Sequence, residues 1–167
     1  MSANAPNRLK KIVSGGQTGA DRAALDVAIA LGLETGGRVP NGRRAEDGRI
    51  PVRYAGLIET DTESYQTRTA LNVRDADATL IFSFGEATGG TALTLKLAQS
   101  SQKPFLAVDL ESAAREDAAE RVREWLAETC VRVLNVAGPR ESGEPRITAA
   151  VTGVLTDALT AGRSAQT

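Results

Sequence analysis

Two stretches of this 167-residue sequence combine an apolar run, glycines and hydroxyl side chains in an order that suits anion binding. The first is "SGGQTGADRAALD", residues 14–26, which follows "KIV" and turns at once into alanine-rich helical text. The second is "SFGEATGGTALT", residues 83–94, which again reads as strand, glycine turn, helix. A glycine loop at the start of a helix exposes backbone N–H groups that have no intrahelical partner. The helix dipole adds partial positive charge at the same end, so a phosphate is well received there. Gly15, Gly16, Gln17, Thr18, Gly19 and Asp21 are the candidate contacts of the first loop, and Ser83, Gly89, Gly90 and Thr91 those of the second. A third strand end, "NVAGPRES" (135–142), adds Gly138, Arg140 and Ser142. Neither loop has GxGxxG spacing or the lysine of a P-loop, so the signal is the coincidence of three strand ends. Asp21 would repel a phosphate unless it accepts hydroxyls or holds a cation, and it also suits a first helical turn by favouring the dipole. Thr18 and Thr91 are equally ordinary as helix caps.

Two further groups carry charge or polarity in a pattern. Tyr65, Arg68, Thr69 and Asn72 fall at i, i+3, i+4 and i+7, a polar stripe on one helical face. Threonine and asparagine are poorer helix formers than the lysine or glutamate of a merely solvated face, which favours contacts at Arg68, Thr69 and Asn72. Five arginines, Arg38, Arg43, Arg44, Arg49 and Arg53, crowd a segment offset by Glu46 and Asp47. An anion gate, an oligomer contact and a solvated loop are equally good readings of it.

These residues need elements to position them. Apolar runs at 10–15, 78–84, 104–110 and 131–138 read as strands, with a short one at 56–60. Helical patterns occupy about 20–31, 63–76, 89–101, 112–130 and 147–159, while the Gly-, Pro- and Arg-rich 35–56 reads as an ordered excursion or part strand. Strands apolar throughout and separated by helices predict a parallel sheet covered on both faces. The expected fold is α/β, a single Rossmann-like doubly wound domain with a mostly parallel sheet over 10–160, flanked by a disordered tail at 1–9 and a second tail at 161–167. In such sheets ligands bind beyond the carboxyl ends of the strands, where the chain order reverses.

Composition sets limits. With 20 Lys plus Arg against 21 Asp plus Glu, the net charge of -1 argues against a nucleic-acid partner. No stretch approaches the ~20 apolar residues of a membrane span, and the N-terminus lacks the apolar core of a signal peptide. The lone Cys130 makes no internal disulfide, which fits a cytoplasmic location. It precedes a strand, at the end opposite the proposed site, and is expected to be a buried thiol. Trp125 is expected in the core or an interface. Zero histidines remove His-rich zinc sites and every Ser-His catalytic pair.

In order along the chain, "IVSGGQTGADRAALDVAIALGL", "GGRVPNGRRAEDGRIP", "YQTRTALNVRDADATLIFS", "GGTALT" and "LNVAGPRES" resemble the family of molybdenum cofactor carrier proteins, from about Lys11 to Thr148. The resemblance implies a cytoplasmic protein that holds molybdenum cofactor, a pterin bearing a phosphate and a dithiolene, without changing it. It also implies a homo-oligomer, dimer or tetramer, and "TALTLKLA", apolar on several sides, would tolerate a partner. The wider Rossmann-like group includes lysine-decarboxylase-like phosphoribohydrolases, whose motif resembles PGGxGTxxE. Aligning Gly90-Thr91 with its "GT" puts Thr94 at the glutamate. A neutral threonine neither relays a proton nor stabilises an oxocarbenium ion, which argues against turnover unless Glu86 substitutes. A nucleoside monophosphate phosphoribohydrolase and a sensor of a nucleotide-derived ligand are the alternatives.

Overall fold

The structure, a computed structural model, describes residues 8–160. The expected tails fall outside this range except for Arg8 and Leu9, and Leu9 is packed in the core. The chain runs β1 (Lys11–Val13), α1 (Ala20–Ala30), β2 (Glu34–Val39), β3 (Arg44–Ala45), β4 (Gly48–Arg49) and β5 (Leu57–Glu59). It continues α2 (Tyr65–Asp75), β6 (Ala78–Ser83), α3 (Gly89–Ser100), β7 (Phe105–Asp109), α4 (Arg115–Thr129), β8 (Val133–Ala137) and α5 (Ile147–Thr160).

Six strands form one sheet in the order β5-β2-β1-β8-β6-β7, and every pairing in it is parallel. The chain starts centrally at β1, steps out to β2 and β5, crosses to β6 and β7, and returns as β8 between β1 and β6. Its direction along the sheet therefore reverses around β8, and the loops after β1, β6 and β8 leave the same edge.

Side chains alternate between the two faces of a strand. Leu80 and Phe82 of β6 and Leu134 and Val136 of β8 pack in one cluster with residues of α1, α4 and α5. The intervening positions, Thr79, Ile81 and Asn135, are buried on the other face, where α2 packs on α3. Trp125 lies half-buried against the main cluster. Cys130 is exposed rather than buried: it ends α4 in the left-handed conformation, φ 53°, which turns the chain before β8.

The excursion after β2 is a flap closed by the short antiparallel β3–β4 pair. Ile50 and Tyr54 hold it down, packing with Leu25 and Val39 in a second, smaller cluster. Burial and the Asp26 carboxylate push the Tyr54 hydroxyl up to about 12, and that hydroxyl donates to Asp26 Oδ1 at 2.9 Å. The arginines of this segment are mostly consumed within the fold. Arg38 pairs with Asp75, Arg44 with Glu63 and Arg53 with Asp26, and Arg43 donates to the carbonyls of Ile50 and Pro51.

Sequence reading placed β2 inside the excursion, because "ETGGRV" has neither an apolar run nor alternation. Its pairing rests on glycine instead. A Cβ on Gly37, which sits at φ +133°, would lie 2.0 Å from the carbonyl oxygen of Ser14. Gly37→Ala is therefore expected to cost clearly more than Gly32→Ala, which meets nothing within 4 Å and suffers only its φ of +73°, about 1 kcal/mol. Urea denaturation of the two variants decides this, and equal costs would contradict the close approach.

Candidate functional site

The loops after β1, β6 and β8 meet at one crevice of about 910 Å³, completed by the face of α2. It brings together Gly15, Gln17, Asp21, Arg68, Thr69, Asn72, Ser83, Gly89, Gly90, Thr91, Gly138 and Arg140. Gly16, Thr18, Gly19 and Ser142 lie outside its lining.

The amides of residues 15–18 are satisfied from within the first loop. Asp21 is 5 % exposed, and its carboxylate accepts the backbone N–H of Gly15 and of Gln17, the latter at 3.2 Å. Gly16 N donates to Ser14 Oγ, Thr18 N to Gln17 Oε1, and Ala20 N to the carbonyl of Pro139. The anion in this nest is thus the protein's own carboxylate. Burial raises the Asp21 pKa, opposed chiefly by Arg68, whose Nη1 donates to Oδ2 at 3.2 Å. Arg68 passes over Gly15 so closely that a Cβ there would stand 1.1 Å from Nη1. Gly19 has φ +83°, and a Cβ on it would lie 2.5 Å from the Pro139 carbonyl oxygen; it starts α1 with no side-chain cap, so Thr18 is not a cap either.

Thr18 and Ser142 serve a clamp that sequence reading missed. Glu46, on the β3–β4 turn, accepts the hydroxyls of both residues and the N–H of Ser142. Its own N–H donates to Gln17 Oε1 at 2.9 Å. Nearby, Arg22 holds Asp47 through two hydrogen bonds and donates to the Gly16 carbonyl. The flap thereby joins the first loop to the third. The hydroxyls of Ser142 and Thr18 hold the Glu46 carboxyl below its ordinary value of 4.5.

The second loop is different. Ser83 Oγ and Asp109 shape it, bonding the carbonyl and the N–H of Gly85 at 2.8 Å each. Thr88 occupies the N-cap of α3 without a side-chain cap, and Thr91 donates its N–H to the Thr88 carbonyl inside the turn. The N–H groups of Gly89 and Gly90 have no acceptor among the described residues, and a Cβ on either would meet nothing within 4 Å. Free amides at a helix start, with open room before them, are what an anion needs. Thr94, at the position of the hydrolase glutamate, is buried and donates to the Gly90 carbonyl at 2.9 Å, so it braces this turn.

The stripe on α2 divides in two. Asn72, 3 % exposed, ties α2 to β2 by accepting Arg38 N at 2.7 Å and donating to Arg38 O at 3.0 Å. Thr69 Oγ1 donates to its own helix at the Tyr65 carbonyl. The Tyr65 ring carries both Arg68 and Arg140, each guanidinium carbon 5.5 Å from its centroid. Arg140 forms no ion pair among the described residues and lines the crevice. Asn135 and Glu86 also line the crevice. Asn135 was visible as the one polar side chain in an apolar strand. Gln17 Nε2 and Arg68 Nε are buried with no partner among the described residues.

Residues 12–159 match the Circularly permutated YpsA SLOG family. The chain belongs to that family. The chain is similar to a solved structure, a "Putative molybdenum carrier protein" from Syntrophus aciditrophicus SB, known at 1.45 Å. The two share 47 % identity over 92 % of this chain and 96 % of the other, with a TM-score of 0.89. An (E)-4-hydroxy-3-methyl-but-2-enyl diphosphate reductase shares 13 % identity over 89 % of this chain and 59 % of its own, with a TM-score of 0.39. No curated protein matches this member of the family. No helix among the described residues is long and apolar enough to cross a membrane.

Two outcomes follow from this geometry. Arg68→Ala strands a buried carboxylate and should cost about 3–5 kcal/mol in urea denaturation. Adding Asp21→Asn, which removes that charge, should restore part of the loss; a double variant less stable than Arg68→Ala would contradict the pairing. Glu46 has a lowered folded pKa, so its contribution is full above about 4.5 and disappears as pH falls through the folded value. Asp21, with a raised folded pKa, acts with the opposite sign: stability declines as pH rises from 3.8 through the folded value. Glu46→Gln should thus lower Tm at neutral pH, with the gap to wild type narrowing in acid. A gap independent of pH would rule out the clamp.

Proposed function

We propose that the protein binds and holds a phosphorylated heterocycle of the molybdenum cofactor class and releases it unchanged. The observation that carries this is the α3 N-terminus, where the free amides of Gly89 and Gly90 open onto the same crevice as the unpaired Arg140. The phosphate sits there rather than on residues 15–18, whose amides are already satisfied. Gln17, Tyr65, Arg68 and Asn135 remain for the ring end of the ligand. The 47 %-identical carrier protein supports the choice of cargo. The crevice offers amides, guanidinium groups, hydroxyls and a tyrosine ring, and no cluster of three metal-ligating side chains occurs among the described residues. The cofactor would therefore be held by its phosphate and pterin.

Turnover is disfavoured by the same residues. Thr94 is committed to the Gly90 carbonyl, and Asp21 to Arg68 and two amides. Glu86 is the exposed carboxylate left at the rim. Self-association also belongs to this proposal: Leu93, Leu95 and Leu97 of α3 are only partly covered. Sedimentation at micromolar concentration should show a dimer or tetramer, and a lone monomer would contradict it.

The binding test uses a phosphorylated pterin precursor of the cofactor, titrated calorimetrically. Gly90→Asp puts a carboxylate on the amides without backbone strain and should abolish binding while the protein stays folded. Arg140→Ala should weaken it by about 1.5–3 kcal/mol, the range for a hydrogen bond to a charged group. Adenosine 5′-monophosphate incubated with excess protein should release no adenine on chromatography. Release that Glu86→Gln removes would overturn the carrier reading in favour of a phosphoribohydrolase.

A further inference from the structure

Gln17 makes a demand that the fold leaves unmet. Its side chain is 6 % exposed, and Oε1 accepts two backbone N–H groups, Thr18 at 3.1 Å and Glu46 at 2.9 Å. Both partners are donors, so the amide has one possible orientation: oxygen toward the backbone, NH₂ away from it. Nε2 therefore carries two hydrogens, is buried, and has no acceptor among the described residues. Buried donors are almost always paired, and an orphan beside a crevice points to an acceptor supplied from outside. The kind of acceptor is set by the neighbouring charge. Asp21 Oδ2 accepts the backbone N–H of the same residue at 3.2 Å, so a second anion here would face a carboxylate. A neutral oxygen suits the place.

The adjacent strand supplies the complementary group. Asn135 pairs in register with Val13, four positions before Gln17, and lines the same crevice. It is 3 % exposed; its Nδ2 donates to Thr79 Oγ1 at 3.4 Å, and its Oδ1 has no hydrogen-bond partner among the described residues. A donor and an acceptor on neighbouring strand ends match a ring that presents a carbonyl next to an N–H. We propose that Gln17 and Asn135 form a ring-reading subsite that selects heterocycles with an oxo group, a lactam edge, over rings with an amino group at that place. This rests on the phosphorylated-heterocycle reading above, with the phosphate held separately at Gly89 and Gly90.

Inosine 5′-monophosphate and adenosine 5′-monophosphate isolate the point, since their rings differ in an oxo against an amino group. Calorimetric titration of wild type should favour the inosine nucleotide by roughly tenfold or more, because a site built to donate rejects a ligand that cannot accept. Inorganic phosphate should compete with both. Gln17→Glu keeps an oxygen on the two backbone amides and exchanges the free donor for an acceptor, so the preference should shrink or reverse. Should that variant fail to fold, the wild-type comparison decides alone. Equal affinities with phosphate competing would overturn the ring subsite and leave the phosphate site standing. Binding of phosphate but of neither nucleotide would overturn it as well. Failure of phosphate itself to bind would remove the underlying reading together with the subsite.

Discussion

The organisation of the crevice depends on a single buried charge. Asp21 enters the glycine loop from the first turn of α1 and takes the N–H groups of Gly15 and Gln17, the work a bound phosphate does in other strand-to-helix loops. A carboxylate at that depth is tolerable only with a counter-charge, and Arg68 provides it from α2, its guanidinium lying directly against Gly15. One interaction therefore fixes three things: the shape of the first loop, the distance of α2 from β1, and the placement of a guanidinium on the crevice floor. It also places a carboxylate in the first loop where a phosphate would otherwise sit, which is why the proposed phosphate site is at α3.

Around this centre the flap acts as a brace. Ile50 and Tyr54 anchor it apolarly, while Glu46 gathers Thr18 and Ser142 from loops that are far apart in sequence. Arg22 and Asp47 add a second link on the outside of the same turn. Of the arginines that suggested an anion gate, Arg38, Arg44 and Arg53 are paired with carboxylates and Arg43 with backbone carbonyls. Arg140, by contrast, forms no ion pair among the described residues and shares the Tyr65 ring with Arg68.

The sequence made the layered α/β architecture readable because its buried strands are apolar throughout and its helices carry periodic small and apolar residues. It also located the crevice, since glycine-rich strand ends in a parallel sheet converge where the chain direction reverses. β2 escaped because Gly36 and Gly37 leave no apolar signature, and its reason for existing is a close approach to Ser14 and Lys11. Thr18 and Ser142 were read as ligand donors because nothing local in the sequence announces that Glu46, 28 and 96 residues away, claims their hydroxyls. Asp21 was recognised as awkward for a phosphate, but its partner lies 47 residues on, a pairing only the fold reveals. Cys130 looked like a core thiol beside an apolar strand; the sharp turn at the end of α4 puts it outside.

What the crevice offers is asymmetric: an electropositive end made of amides and Arg140, and a polar floor where Gln17 and Asn135 wait beside a neutralised ion pair. That division suits a ligand with an anionic tail and a polar ring, held by geometry rather than by a reactive group. Its central claim is the position of the anion. A crystal structure of the protein grown with a phosphorylated pterin, or with selenate as an anomalously scattering anion, locates it directly. The account predicts anion density within about 3 Å of the Gly89 and Gly90 nitrogens and beside Arg140. Density in the nest of residues 15–17, with the Asp21 carboxylate displaced from those amides, would contradict it.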